Sequence, residues 1–242
     1  MPTSLLRNLL LVAAATSGLM PTAQAALTIS TTRIIQSSDK QSSSIIVANP
    51  STQAFAAQSW VNTDSDDSTT AVPLIATPAL FRLDPGNQQT VQINRLPNDL
   101  PKDRESLFYF NVQEIPQAQD EQANALTIAL RTRIKLFYRP AELQGTTEDG
   151  LKTLQWSVRH ADGKAQLVVH NPSPYHYIFK RVQVGHLKGR KSIQANEMVA
   201  PQSTMAYDLP TPASAPGLQV YFTTINDYGG TTREMTAPVS GT

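Results

Sequence analysis

Short runs of alternating apolar residues, dense turn punctuation between them and the lack of any convincing amphipathic helix predict an all-β chain. Strands at this spacing read as two immunoglobulin-like β-sandwich domains in series. The first strand is expected over residues 27–35, the next over 44–49, closed by Asn49-Pro50-Ser51-Thr52. A third, 55–61, runs into Asp64-Ser65-Asp66-Asp67-Ser68, a polar stretch suited to a solvated hairpin tip. The fourth, 91–96, lies between Asp84-Pro85-Gly86-Asn87 and Leu96-Pro97-Asn98-Asp99-Leu100-Pro101. Runs at 107–115 and 126–138 complete the first half. After Arg139-Pro140 the alternation restarts at 154–160, 166–171, 177–184, 204–209, 218–226 and 231–237. Proline and glycine punctuate 139–145, which makes that segment the natural linker. The expected domains are residues 26–140 and 141–242.

Residues 1–25 read as a cleaved export leader: Arg7 supplies the positive end, Leu9 to Ala15 form the apolar stretch, and Ala23-Gln24-Ala25 is a small-x-small cleavage site. That apolar stretch falls well short of the ~20 residues a membrane span needs, so no membrane insertion is expected. The chain carries 20 Lys+Arg against 19 Asp+Glu, and losing Arg7 with the leader balances them. A neutral protein lacks the basic field that captures nucleic acid or anionic membrane. With no cysteine, an oxidising compartment is permitted but not exploited.

The run at 126–138 is the most informative feature. Its even positions are Leu126, Ile128, Leu130, Ile134, Leu136 and Tyr138, broken by Thr132, while its odd positions include Arg131, Arg133 and Lys135. Thirteen residues exceed the usual length of a strand. Either this is a long core strand, or its surplus apolar edge has a partner. Charge inside strands raises a second question. Arg33 near the start of the first strand and Lys135 near the end of the last are costly to desolvate unless an anion meets them. Internal carboxylates could do so one by one, or an external carboxylate could meet both.

Enzyme chemistry finds no foothold. The four histidines, His160, His170, His176 and His186, form no metal-ligand spacing and read as surface or turn residues. There is no G-x-S-x-G, no P-loop and no Gly-rich strand-to-helix turn. The stretch 64–68 lacks the glycine and closing glutamate of a calcium loop. The basic segment 186–191 reads as an exposed hairpin tip. No cofactor, metal or catalytic residue is expected. A secreted two-domain adhesion or carbohydrate-binding module is the alternative from another class. It should show an aromatic platform, yet Trp60 and Trp156 both fall within expected strands.

Two long motifs then carry a resemblance. Leu100-Pro-Lys-Asp-Arg-Glu-Ser-Leu-Phe-Tyr-Phe-Asn-Val-Gln-Glu-Ile-Pro116 and Arg131-Thr-Arg-Ile-Lys-Leu-Phe-Tyr-Arg-Pro140 closely resemble segments of the periplasmic pilus (fimbrial) chaperones of the PapD-like family. Ala76-Thr-Pro-Ala-Leu-Phe-Arg-Leu-Asp-Pro85, Asn171-Pro-Ser-Pro-Tyr175 and Thr224-Ile-Asn-Asp-Tyr-Gly-Gly230 follow in the family's order.

The resemblance implies a boomerang of two immunoglobulin-like domains that binds, folds and caps pilus subunits by donor-strand complementation. An outer-membrane usher would then receive them. It implies that Leu126, Ile128 and Leu130 are the side chains lent to the subunit, and that Arg33 and Lys135 hold the subunit's C-terminal carboxylate. It further implies an interdomain ion-pair network of Glu105, Arg139 and Asp227. The nine residues between Pro116 and Leu126 resemble the family's short F1–G1 loop type, which serves adhesive pili. Gln36 departs from the pattern, where an aromatic is common. A second copy of the chain is another candidate cover for the apolar strand when no subunit is present.

Overall fold

Residues 27–67, 69–115, 129–161, 163–186, 189–209 and 217–241 are described by the computed structural model. Period-two alternation becomes strands β1 (Thr28–Ile29), β2 (Arg33–Ser37), β3 (Ser42–Ala48), β4 (Phe55–Asn62), β5 (Leu74–Thr77), β6 (Leu80–Leu83), β7 (Gln88–Arg95), β8 (Ser106–Ile115) and β9 (Arg131–Arg139). They form two sheets, β1-β3-β7-β5 and β2-β9-β8-β4-β6. Ile45 and Val47 of β3 and Val91 and Ile93 of β7 share one buried cluster with Phe108, Phe110 and Val112 of β8 and Leu136 of β9. One face of each sheet is thus apolar, as a sandwich core requires.

The chain crosses between these sheets at places the alternation did not reveal. The run at 27–35 is two strands, β1 in one sheet and β2 in the other. Ser30 explains the break. Its N–H bonds the Ile46 carbonyl at 3.0 Å and its hydroxyl accepts from the Ile46 N–H at 3.2 Å. The Thr31 hydroxyl then donates to the Arg33 carbonyl at 2.9 Å, so local side-chain bonds displace the ladder. Another unrevealed crossing lies between β5 and β6, at the cis peptide bond Thr77-Pro78. Each of those strands has only four residues, too few for a periodicity to register. The stretch 64–68 therefore does not tip a hairpin, because β4 and β5 belong to different sheets.

The second half begins with a helix that periodicity also missed, α1 (Thr147–Leu151), too short to show a repeat. Its signal was capping chemistry: the Thr146 hydroxyl accepts from the Asp149 N–H at 3.1 Å, and the Asp149 carboxylate accepts from the Thr146 N–H at 3.3 Å. Strands β10 (Gln155–Ala161), β11 (Lys164–Asn171), β12 (Phe179–His186), β13 (Gly189–Ile193), β14 (Ser203–Asp208), β15 (Gln219–Thr224) and β16 (Met235–Gly241) follow, of which β13 was not anticipated. All seven join one sheet, ordered β13-β12-β15-β16-β10-β11-β14. It curls on itself, because one buried cluster draws side chains from all seven strands. At its centre Trp156, Phe179 and Phe222 pack with ring centroids 5.3–5.6 Å apart. Strand β16 closes the curl, pairing antiparallel with β15 up to Pro238 and parallel with β10 from Val239 onward.

Leu136 is fully buried between the two sheets of the first domain. Leu136→Ala is expected to lower the unfolding free energy by about 2–5 kcal/mol, read as a shift of the urea midpoint at unchanged slope.

Candidate functional site

Strand β2 pairs in parallel with β9 over only five positions, the first of them Arg33↔Lys135. This register sets the two cations side by side. The Arg33 Nη1 donates to the Ile225 carbonyl of the second domain at 3.2 Å, and its Nε is buried with no partner. The Lys135 ammonium lies 5.7 Å from the Tyr109 ring centroid. Neither forms an ion pair with a carboxylate among the described residues. Burial holds the Arg33 pKa below its ordinary value, with Asp227 and Glu105 opposing at longer range. The Lys135 pKa is also lowered, by burial first and by the Arg33 charge next. Two partly desolvated cations side by side would each be stabilised by an arriving anion.

Past this pair, β9 loses its neighbour. Residues 131–134 still pair with β8 on one side, but β2 has ended on the other. Backbone bonding fixes which groups are left over. The Glu114 N–H bonds the Leu130 carbonyl at 2.9 Å, so even-numbered residues of this strand direct their backbone groups at β8. Odd-numbered residues face the β2 side, as the bond from the Ser38 N–H to the Arg139 carbonyl at 2.9 Å shows. The backbone groups of Arg131 and Arg133 therefore line an open edge. On the core-facing side burial falls steadily outward, from Leu136 at 0 % exposed, through partly buried Ile134 and Thr132, to Leu130 at 53 %. Leu126, Ile128 and the loop before them lie outside the described residues.

The remaining group of residues joins the two domains. The Arg139 Nε donates to Glu105 at 2.7 Å, and its two terminal nitrogens hold Asp227 at 2.6 and 2.9 Å. Although burial opposes the Arg139 charge, its hydrogen bonds to the Asp227 carboxylate and the Glu105 charge outweigh it and raise its pKa. The other Glu105 oxygen accepts from the His176 N–H at 2.8 Å and lies 3.1 Å from the His176 Nδ1, which must then carry a proton. His176 is thus buried at the junction, not on the surface as its sequence suggested, because Glu105 and the Phe137 ring 5.4 Å away enclose it. Sequence spacing could not reveal this, since His176 and Glu105 are 71 residues apart. Asp227 is presented by the turn Asn226-Asp-Tyr-Gly-Gly230. Its Gly229 has φ +81°, and a Cβ there would lie 2.4 Å from the Thr32 hydroxyl of the first domain. Asp227→Ala is expected to destabilise the protein by about 1–3 kcal/mol and to widen the spread of interdomain angles in small-angle scattering.

Known proteins share both domains and the fold. The family model "Pili and flagellar-assembly chaperone, PapD N-terminal domain" matches residues 26–144, and "Pili assembly chaperone PapD, C-terminal domain" matches residues 149–236. The probable fimbrial chaperone YadV of Escherichia coli K12 is 37% identical over 213 residues, covering 84% of this chain and 86% of that protein. The crystal structure of the YadV chaperone superposes with a TM-score of 0.76 at 35% identity, over 88% of this chain and 100% of that one. The Salmonella enterica SafA pilin in complex with the SafB chaperone matches with a TM-score of 0.75 at 25% identity, over 90% of this chain and 98% of that one. The matched domains, relatives and fold place this chain in the PapD-like family of pilus-assembly chaperones.

Proposed function

We propose that this chain is a periplasmic chaperone that captures pilus subunits through the open edge of β9 and the Arg33–Lys135 pair. One observation carries the reading: two adjacent cations without a described carboxylate partner sit where β2 stops and β9 becomes an edge. A strand continuing the line of β2 would find the Arg131 and Arg133 backbone groups unpaired. With its C-terminal carboxylate on Arg33 and Lys135, that strand runs parallel to β9. Its register is then fixed, because a slip of one residue would turn its apolar side chains away from the core.

Leu126, Ile128 and Leu130 are the side chains lent to the subunit in this arrangement. Burying three such aliphatics contributes about 1.5–3 kcal/mol each before ordering costs. Each charge-assisted bond to the carboxylate adds about 1.5–3 kcal/mol. Folding of the subunit supplies the driving force, so neither nucleotide nor metal enters, and no residue has a catalytic role. The Glu105–Arg139–Asp227 network sets the angle of the boomerang and keeps the cleft open. Residues 1–25 act as the export leader, 26–140 as the subunit-binding domain and 141–242 as the second domain. Subunits pass from the chaperone to an outer-membrane usher, and the short segment between Pro116 and Leu126 fits assembly of adhesive pili.

Lys135→Ala is expected to abolish periplasmic co-purification with a co-expressed pilin of the same operon while the free protein keeps its thermal midpoint. Undiminished complex yield would remove the carboxylate pair from the mechanism. A pilin lengthened by a few residues beyond its natural C-terminus should also escape capture by the wild-type chain, because its carboxylate no longer reaches Arg33 and Lys135 in register.

A further inference from the structure

The open edge of β9 is held from behind. Arg131 and Arg133, whose backbone groups line that edge, project their side chains from the outer face of the sheet, where residues 63–66 grip both. The Arg131 Nη1 donates to Asp66 at 3.0 Å and its Nε to Asn111 at 3.0 Å. The Asn111 amide donates to Asn62 at 2.9 Å, and the Asn62 amide donates to Asp66 at 2.7 Å. Asn62, Asp66, Arg131 and Asn111 therefore close a ring of hydrogen bonds that bolts β9 to β8 and β4. Trp60 lies beneath, its ring centroid 4.9 Å from the Arg131 guanidinium. Beside the ring, the Arg133 guanidinium stacks 3.7 Å from the Tyr109 centroid and donates to the Thr63 carbonyl at 2.7 Å.

We infer that Asp66 is a positioning residue for the subunit-binding edge: through this ring it helps keep β9 extended over 131–134, where β8 pairs with it on one side and β2 no longer does on the other. The inference rests on the chaperone reading above and adds to it a residue that touches no subunit carboxylate. Its physical basis is the cost of ordering. An edge paired on one side only must be straightened when a partner strand arrives, and a strand straightened beforehand spares that cost. Asp66 is itself committed to the task. It sits at φ +58°, an unusual conformation for a non-glycine residue, and bonds from Arg131 and Asn62 hold its carboxyl down to about 2. It thus remains an anion through the range in which subunits are handled.

The test uses the full mature chain and two synthetic strand peptides. Both alternate valine and threonine behind a lysine head; one ends in a free carboxylate and the other in an amide. Wild type should prefer the carboxylate peptide. Asp66→Ala and Arg131→Gln should each bind it about tenfold more weakly while keeping that preference. Hydrogen exchange at the Thr132 and Ile134 amides should quicken in the same variants, with Asp66→Asn in between. Asp84→Ala, which breaks an exposed ion pair elsewhere in the domain, should match wild type in both readouts. Wild-type affinity and exchange in Asp66→Ala would overturn the inference, as would a lowered melting midpoint with unchanged affinity. Equal binding of the two peptides by wild type would overturn the carboxylate reading, and the exchange rates would then decide alone whether Asp66 orders the edge.

Discussion

Strand β2 is shorter than the strand it pairs with, and the rest of the molecule is arranged around that inequality. Five residues of β2 cover one end of β9, the first of them pairing Arg33 with Lys135. Beyond that pair the β9 backbone has hydrogen-bonding groups to spare. The cation pair and the open strand edge thereby adjoin, with the partly buried Ile134 and the exposed Leu130 on the core-facing side beyond the charges. Neither half would choose a partner alone: an open edge accepts any strand, and two cations accept any anion. In the function proposed above, the two together select a strand that ends in a carboxylate.

The outward face of β9 carries much of what this arrangement needs. Arg131 and Arg133 are tied to the loop after β4, Lys135 faces Arg33, Phe137 packs against His176, and Arg139 joins Glu105 to Asp227. These five positions alternate along one strand, so they share a face by the elementary geometry of β structure. The opposite face supplies Leu136 and Tyr138 to the core. One strand thus runs from buried interior to exposed edge, and its burial gradient records the passage.

Tying the domains together at Arg139 has a particular consequence. The Arg33 guanidinium reaches the Ile225 carbonyl of the second domain, so the cation pair is partly built from both halves. A change in domain angle would move that carbonyl away and alter how desolvated Arg33 is. The buried Glu105, shared between Arg139 and His176, is therefore better understood as fixing orientation than as adding stability, since buried ion pairs recover little beyond their desolvation cost.

Much of this was legible in the amino-acid order. Alternation located most of the strands, and the strand charges of Arg33 and Lys135 singled out the two cations that the parallel register sets side by side. Those signals are local, and local spacing carries them. What stayed hidden was the sheet crossings at Ser30 and at Pro78, the burial of His176, and the ring joining Asn62, Asp66, Arg131 and Asn111. A polar run such as 64–68 reads as solvated loop whether it hangs free or, as Asp64 and Asp66 do here, lies against a strand far along the chain. The sequence by itself determined most of the strand segments and which side chains are apolar, because side-chain period is a property of neighbours in the chain. Only the tertiary structure decided that, among the described residues, two cations lie side by side without a carboxylate partner and an edge of β9 is unpaired beside them, because both depend on where a parallel partner from the far end of the domain stops.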